Sequence, residues 1–250
     1  MEYSKELVEW VRAQVARIGR PNAVVGISGG KDSTVVAALL RRALGEEHVI
    51  GVYLPCLSGL RDDPDVEWVL ANYCGQAHRI DIGTAAGAVA TDVTVSTGHW
   101  KNGGQADINL LPRLRMTYLY AIAQTCDACV VNTSNRDERA AGWFTLWGDC
   151  CGDFSPLGGL HAYEVVAVGR DLGVPEELLV KPPADGLTGR TDEENLGFPY
   201  DAVARVLDGE AWDDETDRKA ADRLAAMAWK SGLCRLPLFD RDDPLGLREE

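Results

Sequence analysis

The segment Ser28-Gly29-Gly30-Lys31-Asp32-Ser33 carries the clearest chemistry in the chain. Adjacent glycines permit backbone angles that side chains forbid. Successive N–H groups can then converge on one point and form an anion nest. Ser28 and Ser33 add hydroxyl donors, and a helix starting here adds its positive N-terminal end. Asp32 is a poor phosphate ligand by itself but suits Mg²⁺, which accompanies phosphates. Neither G-x-x-x-x-G-K-[ST] nor G-x-G-x-x-G is present, so this is not the usual NTPase or dinucleotide loop. The plain alternative is a strand-to-helix turn that binds nothing.

The elements around this loop predict how it is held. Asn22 to Ile27 is a short apolar run that fits a buried strand, and Thr34 to Leu44 reads as a helix stopped at Gly45. His48–Leu54, His78–Ile82 and Ala128–Asn132 read as further strands. Lys5–Ile18, Pro64–Cys74, Leu111–Thr125, Tyr163–Leu172 and Asp217–Trp229 read as helices. Thr91 to Asp107 is polar and contains glycines, which predicts a long loop; His99-Trp100 within it could be a lid or an ordinary exposed turn. Pro182 to Pro199 reads as turn-rich. Alternating strands and helices imply an α/β fold, a doubly wound parallel sheet with helices on both faces. One domain spanning residues 1–250 is expected. Ligands of such sheets sit beyond the carboxyl ends of the strands. The loops after Ile27, Leu54, Ile82 and Val131 are therefore expected to share one crevice.

Composition narrows the function. The chain has 250 residues, with Lys+Arg 25 against Asp+Glu 39, a formal charge of −14. That balance repels phosphate backbones and argues against a nucleic-acid partner. No apolar run approaches the roughly 20 residues of a membrane span, so no membrane partner is expected. Seven cysteines in no regular spacing, with no secretion signal, predict a cytoplasmic location and mostly free thiols. Cys126-Asp-Ala-Cys129 and adjacent Cys150–Cys151 invite a redox or zinc reading, but buried cysteine as a small hydrophobe is the commoner case. Trp143 and Trp147 either stack on a base or pack the core.

Gly26-Ile27-Ser28-Gly29-Gly30-Lys31-Asp32-Ser33 resembles the pyrophosphate loop of the N-type ATP pyrophosphatases, whose fold is the adenine nucleotide alpha hydrolase-like one. Further segments in the same order resemble the ammonia-dependent NAD synthetases of that group. They are Asn109–Met116, Asn132-Thr133-Ser134-Asn135-Arg136-Asp137-Glu138, Gly142–Thr145 with Gly148-Asp149, Asp153–Leu157, Asp185–Leu187 and Thr191–Phe198. The resemblance implies that ATP, deamido-NAD and ammonia are substrates, with NAD, AMP and pyrophosphate as products and Mg²⁺ as cofactor. It also implies a homodimer. Gly26, Ile27, Ser28, Gly29, Gly30, Lys31, Asp32 and Ser33 would hold the ATP phosphates, and Thr133 would contact ATP. Asp32 and Glu138 would bind Mg²⁺ and, with Lys31, form the catalytic set. Arg113 and Asp153 would meet the dinucleotide. Each has an ordinary alternative: an ion pair for Arg113, a solvated charge for Glu138, a cap for Thr133 and an Asx turn for Asp153.

Four positions depart from the family pattern. Leu146 and Ala162 stand where relatives often have a basic residue, Ala184 where a hydroxyl is common, and Leu233-Cys234 where a His-Lys pair is common. Lost contacts to charged groups are worth roughly 1.5–3 kcal/mol each. Lys31, His161, Arg170, Lys181 and Arg190 are available to replace them; otherwise activity or acceptor has drifted, toward another amidated or thiolated acceptor or toward nucleotide binding without catalysis. The extra glutaminase domain of longer relatives is not expected here, so free ammonia is the expected nitrogen donor.

Overall fold

A computed structural model describes residues 2–56, 63–181, 191–210 and 214–239. The chain opens with α1 (Glu2–Ile18), which buries Leu7, Val8, Val11 and Val15 at helical spacing. Pro21 ends that path, and β1 (Asn22–Gly26) follows. Next come α2 (Lys31–Leu44), β2 (Val49–Tyr53), α3 (Pro64–Tyr73), β3 (Gln76–Arg79), α4 (Gly83–Thr97), α5 (Gln105–Thr125) and β4 (Ala128–Val130). The C-terminal part holds α6 (Arg136–Ala140), α7 (Ala162–Asp171), α8 (Glu176–Leu179), α9 (Asp192–Leu196), α10 (Tyr200–Asp208) and α11 (Glu215–Ser231).

The sheet has four parallel strands in the order β3-β2-β1-β4. Strand residues alternate between two apolar clusters. Ala23, Val25, Cys129 and Val49 pack with α1, α2, α3 and α7, whereas Val24, Val130, Ile50 and Val52 pack with α5. This alternation is the doubly wound pattern predicted from the sequence. β1 lies at the centre, with β2 on one side and β4 on the other. The chain reverses its direction of winding between β1 and β4, and that opening is where such folds bind ligands. Gly51 is required in β2 because a Cβ there would meet Cys74 Sγ and Leu70 at 2.5 Å.

Two expectations are corrected. Thr91–Asp107 is not one long loop: α4 runs to Thr97 and α5 starts at Gln105, so the link is short. Thr91, Thr94 and Thr97 each bond the carbonyl four residues back, so their hydroxyls are satisfied within the helix. α5 also starts earlier than predicted and carries Pro112 inside it. In the stretch from Pro182 to Pro199, Thr191 caps α9 in a Thr191–Glu194 capping box. Ala184, Asp185–Leu187 and Arg190 lie outside the described residues.

Candidate active site

The first strand ends at Gly26, and Ile27 N–H still bonds Val52 O at 2.8 Å. The chain then leaves the sheet. Gly29 adopts φ +78, a region that excludes most side chains, and Gly30 caps α2. A Cβ on Gly29 would also press against Asp63 and Val66 at 3.3 Å. The turn is held from within. Ser28 N–H donates to Ser33 Oγ at 3.2 Å, the Ser28 and Ser33 hydroxyls lie 3.1 Å apart, and Gly30 N–H donates to Ser28 Oγ at 3.3 Å. Ser33 and Thr34 hydroxyls both donate to Gly30 O. The first N–H groups of α2 are left without helical partners, as a phosphate cradle requires.

Lys31 and Asp32 face the same interior space. Lys31 is only 8 % exposed, and its Nζ sits 2.7 Å from Asp32 Oδ2. Asn135 donates from Nδ2 to the other Asp32 oxygen at 3.3 Å, which links the loop to the end of β4. Asn135 caps α6, and Glu138 completes the capping box: Asn135 N–H donates to Glu138 Oε2 at 3.1 Å and Glu138 N–H to Asn135 Oδ1 at 3.0 Å. Burial raises the Glu138 pKa well above the ordinary carboxylate value; the Asp32 charge pushes it further, and Lys31 opposes them. Burial pulls Lys31 down, but Asp32, Glu138 and Asp192 outweigh it and its pKa is raised. Acids and ammonium therefore form one interacting charge centre between the phosphate loop and α6.

Sequence reasoning gave no role to Asn135, Asp192 or Tyr200. Asp192 starts α9 and is buried, and Tyr200 Oη donates to its Oδ2 at 3.1 Å. The Asn-x-x-Glu and Thr-x-x-Glu capping signatures were readable; their convergence on Lys31 was not. Thr133 stands half-exposed just beyond β4, one residue from Asn132. The Asn132 side chain donates to Asp149 O and Cys151 O and accepts from Ser134 N–H and the Ser155 hydroxyl, so this strand end is rigid.

The remaining predicted residues lie on a second patch. Arg113 is exposed on α5, with Nε donating to Leu146 O at 3.0 Å. Thr145 Oγ1 bonds Asn109 Oδ1, and a Cβ on Gly148 would strike Pro112 at 2.9 Å, so this turn is pinned to α5. Trp147 projects from it 62 % exposed, at φ +63. Asp153 accepts from Val130 N–H at 2.8 Å and from Tyr120 Oη at 3.2 Å, so one oxygen holds β4 and the other α5. Arg115, two residues beyond Arg113, reaches inward to Leu54 O at 3.1 Å.

Of the candidate replacement cations among the described residues, Lys31 alone is bonded to a predicted site residue. His161 is fully buried between Asp137 (2.6 Å), Arg136 (2.7 Å) and Asp208 (3.2 Å). Arg170 pairs with Glu176 at 3.0 Å, and Lys181 pairs with Asp65 at 2.7 Å. The thiol expectation is also amended: Cys150 and Cys234 form a disulfide, closing the α11 end onto the Phe144–Cys151 segment. Cys56, Cys74, Cys126, Cys129 and Cys151 are free. Cys129 is buried in β4, where lost hydration pushes its thiol up to about 12, the behaviour of a packed hydrophobe.

The family model described as NAD synthase matches residues 3–230. The chain belongs to the NAD synthase family. The NH(3)-dependent NAD(+) synthetase of Alkaliphilus oremlandii is 40 % identical over 228 residues, covering 88 % of this chain and 89 % of that protein. The enzyme of the same description from Carboxydothermus hydrogenoformans is 36 % identical over 208 residues, covering 82 % and 84 %. Among solved structures, NMN synthetase from Francisella tularensis superposes with a TM-score of 0.82 at 29 % identity, covering 94 % of this chain and 97 % of that one. The NAD+ synthetase of Burkholderia pseudomallei gives 0.75 at 26 % identity, covering 93 % and 90 %.

Proposed function

We propose that the chain makes NAD by ATP-dependent amidation of deamido-NAD with free ammonia, releasing AMP and pyrophosphate. One observation supports the reading: in a member of the NAD synthase family, Asn135 bonds both Asp32 of the phosphate loop and Glu138 of α6, so the two acids and Lys31 share one partly buried charge centre. A carboxylate is a poor electrophile at neutral pH. Attack of its oxygen on the ATP α-phosphorus breaks the bond to the bridging oxygen and expels pyrophosphate. The nicotinate is then an acyl adenylate, and ammonia attacks its carbonyl carbon. AMP leaves with the oxygen, a proton is lost, and an amide remains.

The residues divide this work. Gly26 to Ser33 hold the departing diphosphate, with backbone N–H groups and two hydroxyls. Lys31 neutralises charge that grows on it. Thr133 contacts ATP at the end of β4. Asp32 and Glu138 would hold Mg²⁺. Their fit is good: Mg²⁺ takes one or two carboxylates with phosphate oxygens and waters, and two partly buried acids of like charge joined through Asn135 favour a cation beside them. Among the described residues no group of three or more metal-binding side chains occurs, which suits an ion shared with phosphates. Bound there, the ion would neutralise the triphosphate as a Lewis acid. Arg113 would meet an anionic group of the acceptor, and Asp153 would serve it by fixing the β4 end. The reading includes a homodimer and a cytoplasmic location; no helix among the described residues is long and apolar enough to cross a membrane.

A second reading concerns the acceptor. The basic residues missing at Leu146 and Leu233-Cys234 leave less charge for the extra phosphate of a dinucleotide, and the likeness to an NMN synthetase points to a nicotinate mononucleotide instead. Purified protein given ATP, ammonium and each acceptor separately tests both. AMP and NAD from deamido-NAD support the first reading, AMP and NMN from the mononucleotide support the second, and no AMP from either contradicts both.

A further inference from the structure

The parallel ladder between β1 and β2 stops one rung early. Gly26 lies opposite Val52, and Ile27 N–H bonds Val52 O. Parallel pairing repeats every second residue, so the next rung would run from Gly29 N–H to Leu54 O. Gly29 has turned away at φ +78 to build the phosphate loop. The Arg115 Nε–H fills the vacancy, at 3.1 Å from Leu54 O. The guanidinium therefore occupies the hydrogen-bonding place on β2 that the phosphate loop gives up.

Its other N–H groups are uncommitted. Among the described residues, the bond to Leu54 O is the only hydrogen bond of Arg115, and no carboxylate pairs with it. Asp149 and the Cys56 thiol act on it only through their charge, and burial disfavours its charged form. Its unpaired N–H groups are not buried away from solvent, so an incoming anion can reach a guanidinium that no carboxylate neutralises. The anion within reach is the one cradled by the neighbouring loop.

We propose that Arg115 is a nucleotide-binding residue that contacts a phosphate of ATP at the Ser28 edge of the loop. The inference rests on the proposed use of ATP. The role differs from that of Arg113, which is exposed and faces the Leu146 turn. A cap on Leu54 O is the structural alternative, and glutamine distinguishes the two: its amide N–H can still donate to the carbonyl, but it carries no charge.

Calorimetric binding of ATP and of adenosine to the full chain and to Arg115→Gln and Arg115→Lys is the test. The expected result is ATP affinity about 10–100-fold weaker in Arg115→Gln, adenosine affinity within about twofold, and partial recovery in Arg115→Lys. Unchanged ATP affinity in a folded Arg115→Gln, or equal loss for both ligands, overturns the proposal. Should Arg115→Gln fail to fold, phenylglyoxal labelling of the wild-type protein answers instead. Protection of Arg115 by ATP but not by adenosine supports the contact; equal labelling with and without ATP overturns it. Wild-type protein that binds no ATP overturns the proposed function as well, whereas equal ATP binding by wild type and Arg115→Gln overturns this inference alone.

Discussion

The residues proposed to hold the nucleotide and those proposed to meet the acceptor are built differently. On the nucleotide side, Lys31, Asp32, Asn135 and Glu138 are bonded or charge-coupled to one another, and each polar group points into a shared centre. On the acceptor side, the polar groups hold the protein together. Arg113 bonds the Leu146 carbonyl, Asp153 ties Val130 and Tyr120, and the family's basic positions are Leu146 and a disulfide-bonded Cys234. On the proposed reading, the ATP half of the site rests on backbone geometry and the acceptor half on individual side chains. Phosphate cradles depend on backbone geometry, which few sequences provide. Acceptor contacts depend on individual side chains, which are easily exchanged.

The comparison breaks most sharply on the nucleotide side. Glu138→Gln or Asp32→Asn should lower the rate of AMP formation by about 10²–10³; the melting temperature should hold or rise in Glu138→Gln, which removes a disfavoured charge, and fall modestly in Asp32→Asn, which strips buried Lys31 of its ion pair. Steady-state assays paired with thermal melts check this. Equal loss of activity and stability would reduce both acids to structural roles.

The disulfide comes next. Cys150 and Cys234 are 84 residues apart, so reduction or Cys234→Ser should destabilise the fold by about 2–4 kcal/mol in denaturant titration. It should also shift the KM for the acceptor more than that for ATP. The opposite split would put the C-terminal segment on the nucleotide side.

Smaller effects sharpen the acceptor half. Arg113→Ala should raise the acceptor KM about tenfold and leave the ATP KM alone. Leu146→Lys should favour deamido-NAD over the mononucleotide, read as a ratio of kcat/KM values.

The smallest effect is a pH dependence of stability. Burial pulls the His161 pKa down, but the Asp137 hydrogen bond and charge and the Asp208 bond outweigh it, against opposition from Arg136. The folded pKa is therefore raised above 6.5. A base with a raised folded pKa stabilises fully below its unfolded value and loses that contribution as pH rises through its folded value. The melting temperature should fall as pH climbs above about 6.5, and His161→Gln should flatten the slope.

Legibility followed the range of the interaction. The phosphate loop was readable because Ser28 to Ser33 act through local backbone geometry beside a short apolar strand. The parallel sheet with helices on both faces followed from alternation; the order β3-β2-β1-β4 did not, because it depends on which strands meet across the fold. α4 was missed because threonine and valine disfavour helix on propensity and its second half is exposed, so neither local preference nor an apolar stripe marked it. Arg113 and Arg115 look equivalent in sequence, two residues apart; burial separates an exposed clamp from one filling a missing rung. His161 read as a spare cation, and only the fold shows it locked by Asp137. The Cys150–Cys234 bond and the approach of Asp192 to Lys31 join distant segments, which no local pattern records.

The most direct measurement is product analysis with purified full-length protein, ATP, Mg²⁺ and ammonium, with a nicotinate nucleotide as acceptor. One AMP and one pyrophosphate for each amide formed is the predicted result, with no amide when Asp32 is replaced by Asn. Amide formation without AMP, or undiminished turnover in Asp32→Asn, would contradict the account.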